Sequence, residues 1–256
     1  MKKTAIFAAS ALALAISAAA QADKNNSEVT QTGVSNYSFV DQNGPSNEAE
    51  GSISDIEQTG TGNIARVTQN TMAPRTHEST VEQIGAGNIT DVYQNGEEDS
   101  AQTGFTSEVT QSGTYNRATV NQSGEHSLRS SIVQAGSQNN ALVNQTTSSN
   151  GSKINQDGFG NSSDVYQGGI AERSIINQTG QFNAADVYQE GGFSKSEIDQ
   201  YGSSNYANVS QVADTARSTI DQTGLGNAAY IDQGQFNNIS TVTQNGISNL
   251  ADVSQH

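Results

Sequence analysis

A pair of glutamines spaced eleven residues apart recurs ten times along the chain and restricts the folds it can adopt. From Gln134 onward each pair begins 22 residues after the last, whereas the earlier intervals are 23 to 28 residues. A fixed period of this size predicts stacked structural units that contact only their neighbours. The first glutamines are Gln31, Gln58, Gln83, Gln111, Gln134, Gln156, Gln178, Gln200, Gln222 and Gln244, and the second are Gln42, Gln69, Gln94, Gln122, Gln145, Gln167, Gln189, Gln211, Gln233 and Gln255.

Each glutamine pair lies in two short alternating segments joined by a glycine. One example is Ser218–Gln233, STIDQTGLGNAAYIDQ. Before the turn, the serine, the isoleucine and the first glutamine occupy alternate positions; after it, the asparagine, an alanine, the second isoleucine and the second glutamine do the same. Strand side chains alternate between two faces, so the motif predicts two strands and a tight turn. The turn glycines are Gly33, Gly60, Gly85, Gly113, Gly136, Gly158, Gly180, Gly202, Gly224 and Gly246.

The predicted fold is an all-β solenoid of about ten strand-turn-strand coils with a 22-residue period, stacked as cross-β amyloid in a fibre. Both prolines, Pro45 and Pro74, fall in the longer connections at 43–53, 70–78 and 95–106, where a strand reading requires them. The repeats are placed at 27–42, 54–69, 79–94, 107–122, 130–145, 152–167, 174–189, 196–211, 218–233 and 240–255.

The first 22 residues have the features of a secretory signal: Lys2 and Lys3, an apolar run, and small residues ending at Ala22. The apolar run is too short for a membrane anchor. A short stub, 23–26, then precedes the repeats, and we expect a secreted protein without membrane insertion.

Composition excludes an ordinary globular core, since only 32% of the residues are hydrophobic and cysteine is absent. Stability must therefore accumulate through repetition. The net charge of −15 argues against nucleic acid or anionic lipid as a partner.

The inward polar positions are predicted to form ladders in which each amide bonds its own copy in the next coil. An unpaired inward amide would cost about 1–3 kcal/mol. Serine lies four residues before each first glutamine and asparagine five after it. The candidate ladder residues are Ser27, Gln31, Asn36, Gln42, Ser54, Gln58, Asn63, Gln69, Gln178, Asn183, Gln189, Gln200, Asn205, Gln211, Gln222, Asn227, Gln233, Ser240, Gln244, Asn249 and Gln255.

The pattern Gln-x-Gly-x-x-Asn-x-Ala-x-Val-x-Gln, as in Gln178–Gln189 and Gln200–Gln211, resembles the curlin repeat of curli amyloid subunits. The resemblance implies a non-enzymatic, secreted subunit that polymerises into extracellular fibres. These fibres would serve in the biofilm matrix and in adhesion. The resemblance also implies a nucleator subunit, an outer-membrane secretion pore and periplasmic accessory proteins as partners. Ten repeats after a stub, without a glycine-rich N-terminal segment, depart from the familiar major subunit. A minor nucleator, and less so a monomeric solenoid adhesin, remain alternatives.

Neither the first nor the last coil has a capping segment in this reading, so we expect open edges that pair with a second copy. No catalytic, metal or cofactor site is expected. His77, His126 and His256 share no motif position and are read as surface histidines. The tyrosines Tyr93, Tyr166 and Tyr188, just before the second glutamine, are read as outward stacking or packing residues.

Overall fold

The fold was analysed in a computed structural model, which describes residues 25–44, 51–71, 76–96 and 104–256, and the backbone of 5–7. Its described residues contain strands and no helix, which confirms the all-β prediction. Pro45, Pro74 and the acidic cluster at 97–99 lie outside them. The strands are β1 Ala5–Phe7, β2 Asn26–Val34, β3 Tyr37–Asn43, β4 Ile53–Thr61, β5 Ile64–Asn70, β6 Glu78–Ala86, β7 Ile89–Gly96, β8 Thr106–Thr114, β9 Arg117–His126, β10 Arg129–Ser137, β11 Asn140–Ser148, β12 Gly151–Phe159, β13 Ser162–Gln167, β14 Arg173–Gln181, β15 Ala184–Gln189, β16 Lys195–Ser203, β17 Tyr206–Gln211, β18 Arg217–Leu225, β19 Ala228–Gln233, β20 Ile239–Ile247 and β21 Leu250–Gln255.

The strands form a parallel β-solenoid with two sheets. Sheet A contains β1 and all the even-numbered strands, and sheet B contains the remaining odd-numbered strands, each in sequence order. One strand from each sheet makes a coil, so that β2 and β3 form coil 1 and β20 and β21 form coil 10. The first corner of a coil joins its sheet A strand to its sheet B strand, and the second corner leads to the next coil.

The register between coils places each motif position on its own copy. Gln178 is paired with Gln200 in sheet A, and Val187 with Val209 in sheet B. A slip of one residue would turn every inward side chain outward, so the alternation fixes the register. The core between the sheets is a stack of β-branched residues and alanines, most of them fully buried. Each coil contributes little apolar area, and only the stack makes a continuous core.

The glycine at the first corner is required for two separate reasons. Gly180 has a φ of +121°, a conformation that residues with a side chain rarely adopt, and the other nine turn glycines lie between +101° and +127°. A Cβ on Gly180 would also lie 1.9 Å from the carbonyl oxygen of Gly202 in the next coil. At this turn, consecutive coils are therefore in close backbone contact.

Both corners contain a residue in the left-handed conformation. At the first corner this residue follows the turn glycine by two positions, and it is glycine in only four coils; Tyr115, Gln138 and Phe182 take the same conformation elsewhere. At the second corner, Ser149 and Ala171 have φ values of 62° and 58°. The 22-residue period thus consists of two similar eleven-residue halves, each a strand followed by a left-handed corner.

The edge of sheet A beside coil 1 differs from the sequence-based expectation. Strand β1 pairs with β2 in parallel, with Ala5 opposite Val29 and Phe7 opposite Gln31. The expectation that coil 1 is uncovered is therefore wrong for these three positions of sheet A. The covering strand lies within the segment expected to be a secretory signal.

We predict that Gly180→Ala destabilises the stack by roughly 3 kcal/mol or more, because both the φ and the space exclude a Cβ. Gly226→Ala is the matched control: its φ is +65°, and an added Cβ would approach nothing closer than 3.7 Å. That variant should lose only about 1 kcal/mol. Denaturant midpoints measure both, and equal losses would contradict the close-approach explanation.

Candidate functional site: the interior amide rows

The glutamines form two continuous rows of hydrogen-bonded side chains inside the solenoid. In the first-glutamine row, Gln31 to Gln244, each Nε2 donates to Oε1 of the next coil at 2.6–2.9 Å. The second-glutamine row, Gln42 to Gln255, has the same pattern at 2.8–3.0 Å. Both rows therefore donate towards coil 10.

Each buried glutamine amide also bonds the backbone across the interior. Gln200 Nε2, for example, donates to the Ala184 carbonyl at 2.9 Å as well as to Gln222 Oε1 at 2.8 Å. Its Oε1 accepts from Gln178. The second carboxamide proton, which a simple row would leave unpaired, thus crosses from sheet A to sheet B. A fully bonded amide avoids the cost of desolvation, and it ties three strands together.

The asparagine row, Asn36 to Asn249, has hydrogen bonds of the opposite sense. The backbone N–H of each asparagine donates to Oδ1 of the asparagine in the preceding coil, as from Asn205 to Asn183 at 3.1 Å. The Asn183 Nδ2 meanwhile donates to the carbonyl of Gly202, in the following coil, at 3.1 Å. Each asparagine therefore bonds the coil on either side of it, at the corner where the turn glycines are in close contact.

The family comparison matches this geometry. The model of the curlin associated repeat matches residues 183–212, which include the asparagine, second-glutamine and first-glutamine positions of consecutive half-coils. The chain therefore contains a curlin associated repeat. The sequence-based recognition is thereby confirmed, and the family is a structural, non-enzymatic one. No curated protein matches the chain.

The serines are paired in register but, unlike the glutamines, do not form a hydrogen-bonded row. Ser54 and seven equivalent serines have buried hydroxyls without a hydrogen-bond partner among the described residues: Ser79, Ser107, Ser130, Ser152, Ser174, Ser196 and Ser218. Ser240 differs, since it accepts from Gln233 and donates to Gln255. Ser27 is partly buried at coil 1. The serine position is best explained by the small space between the sheets.

Hydroxyls enter the first-glutamine row from a different position, which sequence reasoning missed. Ser38, Thr90 and Ser163 replace the alanine that most coils have in sheet B. Thr90 accepts from Gln83 and donates to Gln111, and Ser163 bridges Gln156 and Gln178 in the same way. These departures from alanine are therefore extra links in the glutamine row. The alternating pattern could not reveal these links, because it shows that a side chain points inward but not which side chain of the other sheet it faces.

The interior at the second corner contains a varied row that includes a buried histidine. His77 is fully buried, and its ring stacks on Phe105 with centroids 4.5 Å apart. Its Nδ1 accepts a hydrogen bond from the Phe105 backbone N–H at 3.1 Å. The surface reading of His77 is wrong, because His77 lies six positions before Gln83 and therefore shares its inward parity. The exposed His256 conforms to that reading.

Glu172 occupies the same inward row and is buried without a counter-charge. Its Oε2 accepts the Gly169 backbone N–H at 2.9 Å, whereas its Oε1 has no hydrogen-bond partner among the described residues. Burial, with a smaller contribution from nearby Glu190, raises the pKa of Glu172 to about 8. The side chain is therefore held mainly as the neutral acid near neutral pH.

Among the described residues, no three His, Asp or Glu side chains come together as a metal site would need. The same residues include no long apolar helix able to cross a bilayer.

We predict that Gln200→Leu destabilises the stack by about 2–4 kcal/mol, because it leaves Gln222 Oε1 without its side-chain Nε2 donor and removes the bond across the interior. Gln181→Leu is the control, since this glutamine is exposed at the first corner. It should change stability by less than about 0.5 kcal/mol. Denaturation and hydrogen exchange of β16 and β18 compare the two, and similar protection in both variants would contradict the role of the row.

The raised pKa of Glu172 predicts a pH dependence with a definite sign. Its folded pKa of about 8 exceeds the ordinary glutamate pKa of 4.5, so the folded state binds the proton more tightly. Stability should therefore fall as the pH rises from about 4.5 towards 8. Glu172→Gln should remove this loss, so that its advantage over the wild type grows by on the order of 3 kcal/mol between pH 5 and pH 8. This stability difference can be measured by hydrogen exchange of the Gly151 and Arg173 backbone amides, which form hydrogen bonds at this corner. A constant difference across that range would refute the assignment.

Proposed function

We propose that this chain is a structural subunit that polymerises end to end into an extracellular cross-β fibre. In this proposal the terminal coil of one copy stacks on the first coil of the next and continues both sheets. The observation that carries it is the register: ten coils superpose residue on residue, and nothing in their pairing distinguishes a neighbour in the same chain from one in another.

The two ends of the stack carry complementary hydrogen-bonding groups. At coil 10, Gln244 and Gln255 have no further glutamine to receive their Nε2 protons among the described residues, and Asn249 Oδ1 has no following asparagine N–H. At coil 1, no preceding glutamine among those residues donates to Oε1 of Gln31 or Gln42. A coil 1 placed on a coil 10 would therefore complete all three rows, whereas two coil 10 ends would oppose glutamine donors and two coil 1 ends would oppose glutamine acceptors.

Apolar exposure favours the same contact. Leu250, Ile247 and Ile239 of coil 10 are 73%, 71% and 68% exposed. Val253 is only partly buried, whereas its equivalents Val209 and Ile231 lie in the core. An open sheet edge with apolar residues is a template for another strand.

The predicted secretory signal contains β1, the strand that pairs with coil 1 at the other end of the stack. Its removal would take away β1 and leave β2 as an open edge of sheet A. We therefore propose that export and signal cleavage produce the form competent to polymerise. By resemblance to the curlin family, the proposed partners are a nucleator subunit, an outer-membrane secretion pore and periplasmic accessory proteins. The proposed role of the fibre is in the biofilm matrix and in adhesion. We prefer a fibre-forming subunit to a nucleating one.

Residues 23–256 should assemble after a lag that preformed seeds shorten, and the fibres should diffract at about 4.7–4.8 Å along the axis and about 10 Å across it. Thioflavin fluorescence and fibre diffraction are the measurements. A chain that stays monomeric at high concentration with seeds present would favour the monomeric adhesin instead.

Changes confined to coil 10 should block growth while preserving the stack of the preceding coils. Gln244→Glu with Gln255→Glu keeps an oxygen for the bonds received from Gln222 and Gln233, but replaces the outgoing donor with a carboxylate. It also removes the Nε2 bonds to the carbonyls of Ala228 and Ile239, so its cost in stability falls on the terminal coils. We predict at least a tenfold loss of elongation rate on wild-type seeds. Gln181→Glu with Gln235→Glu, both exposed at corners, adds the same charge and should elongate normally. Equal rates would contradict stacking through the amide rows.

A further inference from the structure

The outer face of sheet A has a charged strip beside the second corner that the assembly proposal does not use. The strip consists of the first and third residues of the sheet A strands, whose side chains point away from the core. Coils 1–4 each place one carboxylate in it, and coils 5–9 each place one cation; coil 8 also places Glu197 there, beside Lys195. Its charged members are Glu28, Asp55, Glu78 and Glu108, followed by Arg129, Lys153, Arg173, Lys195 with Glu197, and Arg217.

The strand register makes the strip a linear array. Arg173, Lys195 and Arg217 are directly paired in successive parallel strands, which lie about 4.8 Å apart. Glu28 and Asp55 are paired in the same way at the other end. All charged members are exposed except Lys195 and Glu197, which are partly buried. The array is therefore negative along coils 1–4 and, apart from the Lys195–Glu197 pair of coil 8, positive along coils 5–9.

Most of this charge has no ion-pair partner among the described residues. Seven arginines and lysines lie in that part of the chain; Arg66 and Arg117 pair with Asp91 on sheet B, and Lys195 pairs with Glu197 at 3.1 Å. The remaining four strip cations, and the four carboxylates of coils 1–4, form no ion pair with any described residue. Like charges stacked in adjacent strands repel each other, so an external partner of opposite charge would relieve the repulsion in each half of the strip.

A groove lies where the strip changes sign. It has a volume of about 500 Å³ and is lined in part by Glu108, Arg129, Lys153 and Arg173. Gly151 occupies the strip position between Arg129 and Arg173, and a Cβ added there would meet no atom within 4 Å. The missing side chain leaves room for side chains of a partner to enter between the cations.

We propose that the charged strip is the surface on which two solenoids associate side by side, acidic coils 1–4 of one copy against basic coils 5–9 of another. A second copy fits because its charges have the same spacing of one coil and the complementary order. An antiparallel copy, or a parallel one displaced by about half a molecule, would align the opposite signs. The proposal rests on the proposed function insofar as fibres are the partners.

The neighbouring outward row does not share this order. Glu57 and Glu82 lie in the acidic half, but Asp199 and Asp221 lie in the basic half. The separation of negative and positive charge into two halves is therefore confined to the strip. It is the strip that determines how two copies are oriented when they meet side by side. A linear polyanion could bind only the basic half and would leave the acidic half without a role.

The test is a charge swap in which fibres are measured for filament number per bundle by electron microscopy. The basic-half variant is Arg129→Glu with Arg173→Glu and Arg217→Glu, and the acidic-half variant is Asp55→Lys with Glu78→Lys and Glu108→Lys. Each alone should convert bundles to single filaments, since one sign then predominates along the whole strip. The variant with all six changes should bundle again, and so should a mixture of the two three-fold variants.

Controls separate the strip from net charge and from fibre formation. Asp41→Lys with Asp164→Lys and Asp252→Lys changes the charge as the acidic-half variant does, but on sheet B, and should bundle like the wild type. Bundles should also separate at 1 M salt, where the screening length is about 3 Å, while the filaments persist. Absence of wild-type filaments would contradict the proposed function. Filaments that bundle equally in every variant, or lose bundling only when the basic half is reversed, would overturn the strip as a contact between copies.

Discussion

The structure depends on the hydrogen bonding of each interior amide to its own copy one coil away. A chain with 32% hydrophobic residues cannot bury enough apolar surface in one coil to offset the entropy of ordering it. Carboxamides make the interior possible because they supply both a donor and an acceptor along the axis, and a second donor across it. A polar interior of this kind is stable only when every amide is bonded, so the register must be kept throughout.

The two senses of hydrogen bonding give the solenoid a direction. Glutamine side chains donate towards coil 10, whereas asparagine backbone amides donate towards coil 1. Two stacked copies can satisfy both only in a head-to-tail arrangement, which is a heterologous contact that extends without closing. The same stacking that completes one molecule thus leads to a polar filament, and the charged strip adds a separate rule for contact between filaments.

Much of the fold could be predicted from the sequence, because the period of two and the eleven-residue spacing determine both strand faces and register. The glutamine and asparagine positions, such as Gln200 and Asn205, lie inside as their parity requires. Three features could not be obtained in this way. The Thr90 hydroxyl bonds a glutamine that only the three-dimensional register places opposite it; burial of His77 and Glu172 occurs at a corner position with no fixed residue type; and β1 pairs outside the repeats.

Solid-state NMR of mixed-label fibres provides the most direct test of the central claim that the amide rows continue between molecules. One population carries ¹⁵N in the side chain of Gln244, and the other carries ¹³C in the side chain of Gln31. The account predicts a Gln244 Nε2 contact to the Gln31 carboxamide at the same distance as the internal pairs, whose nitrogen and oxygen atoms are 2.6–2.9 Å apart. A contact between two Gln244 side chains, or none between Gln244 and Gln31 in well-ordered fibres, would contradict it.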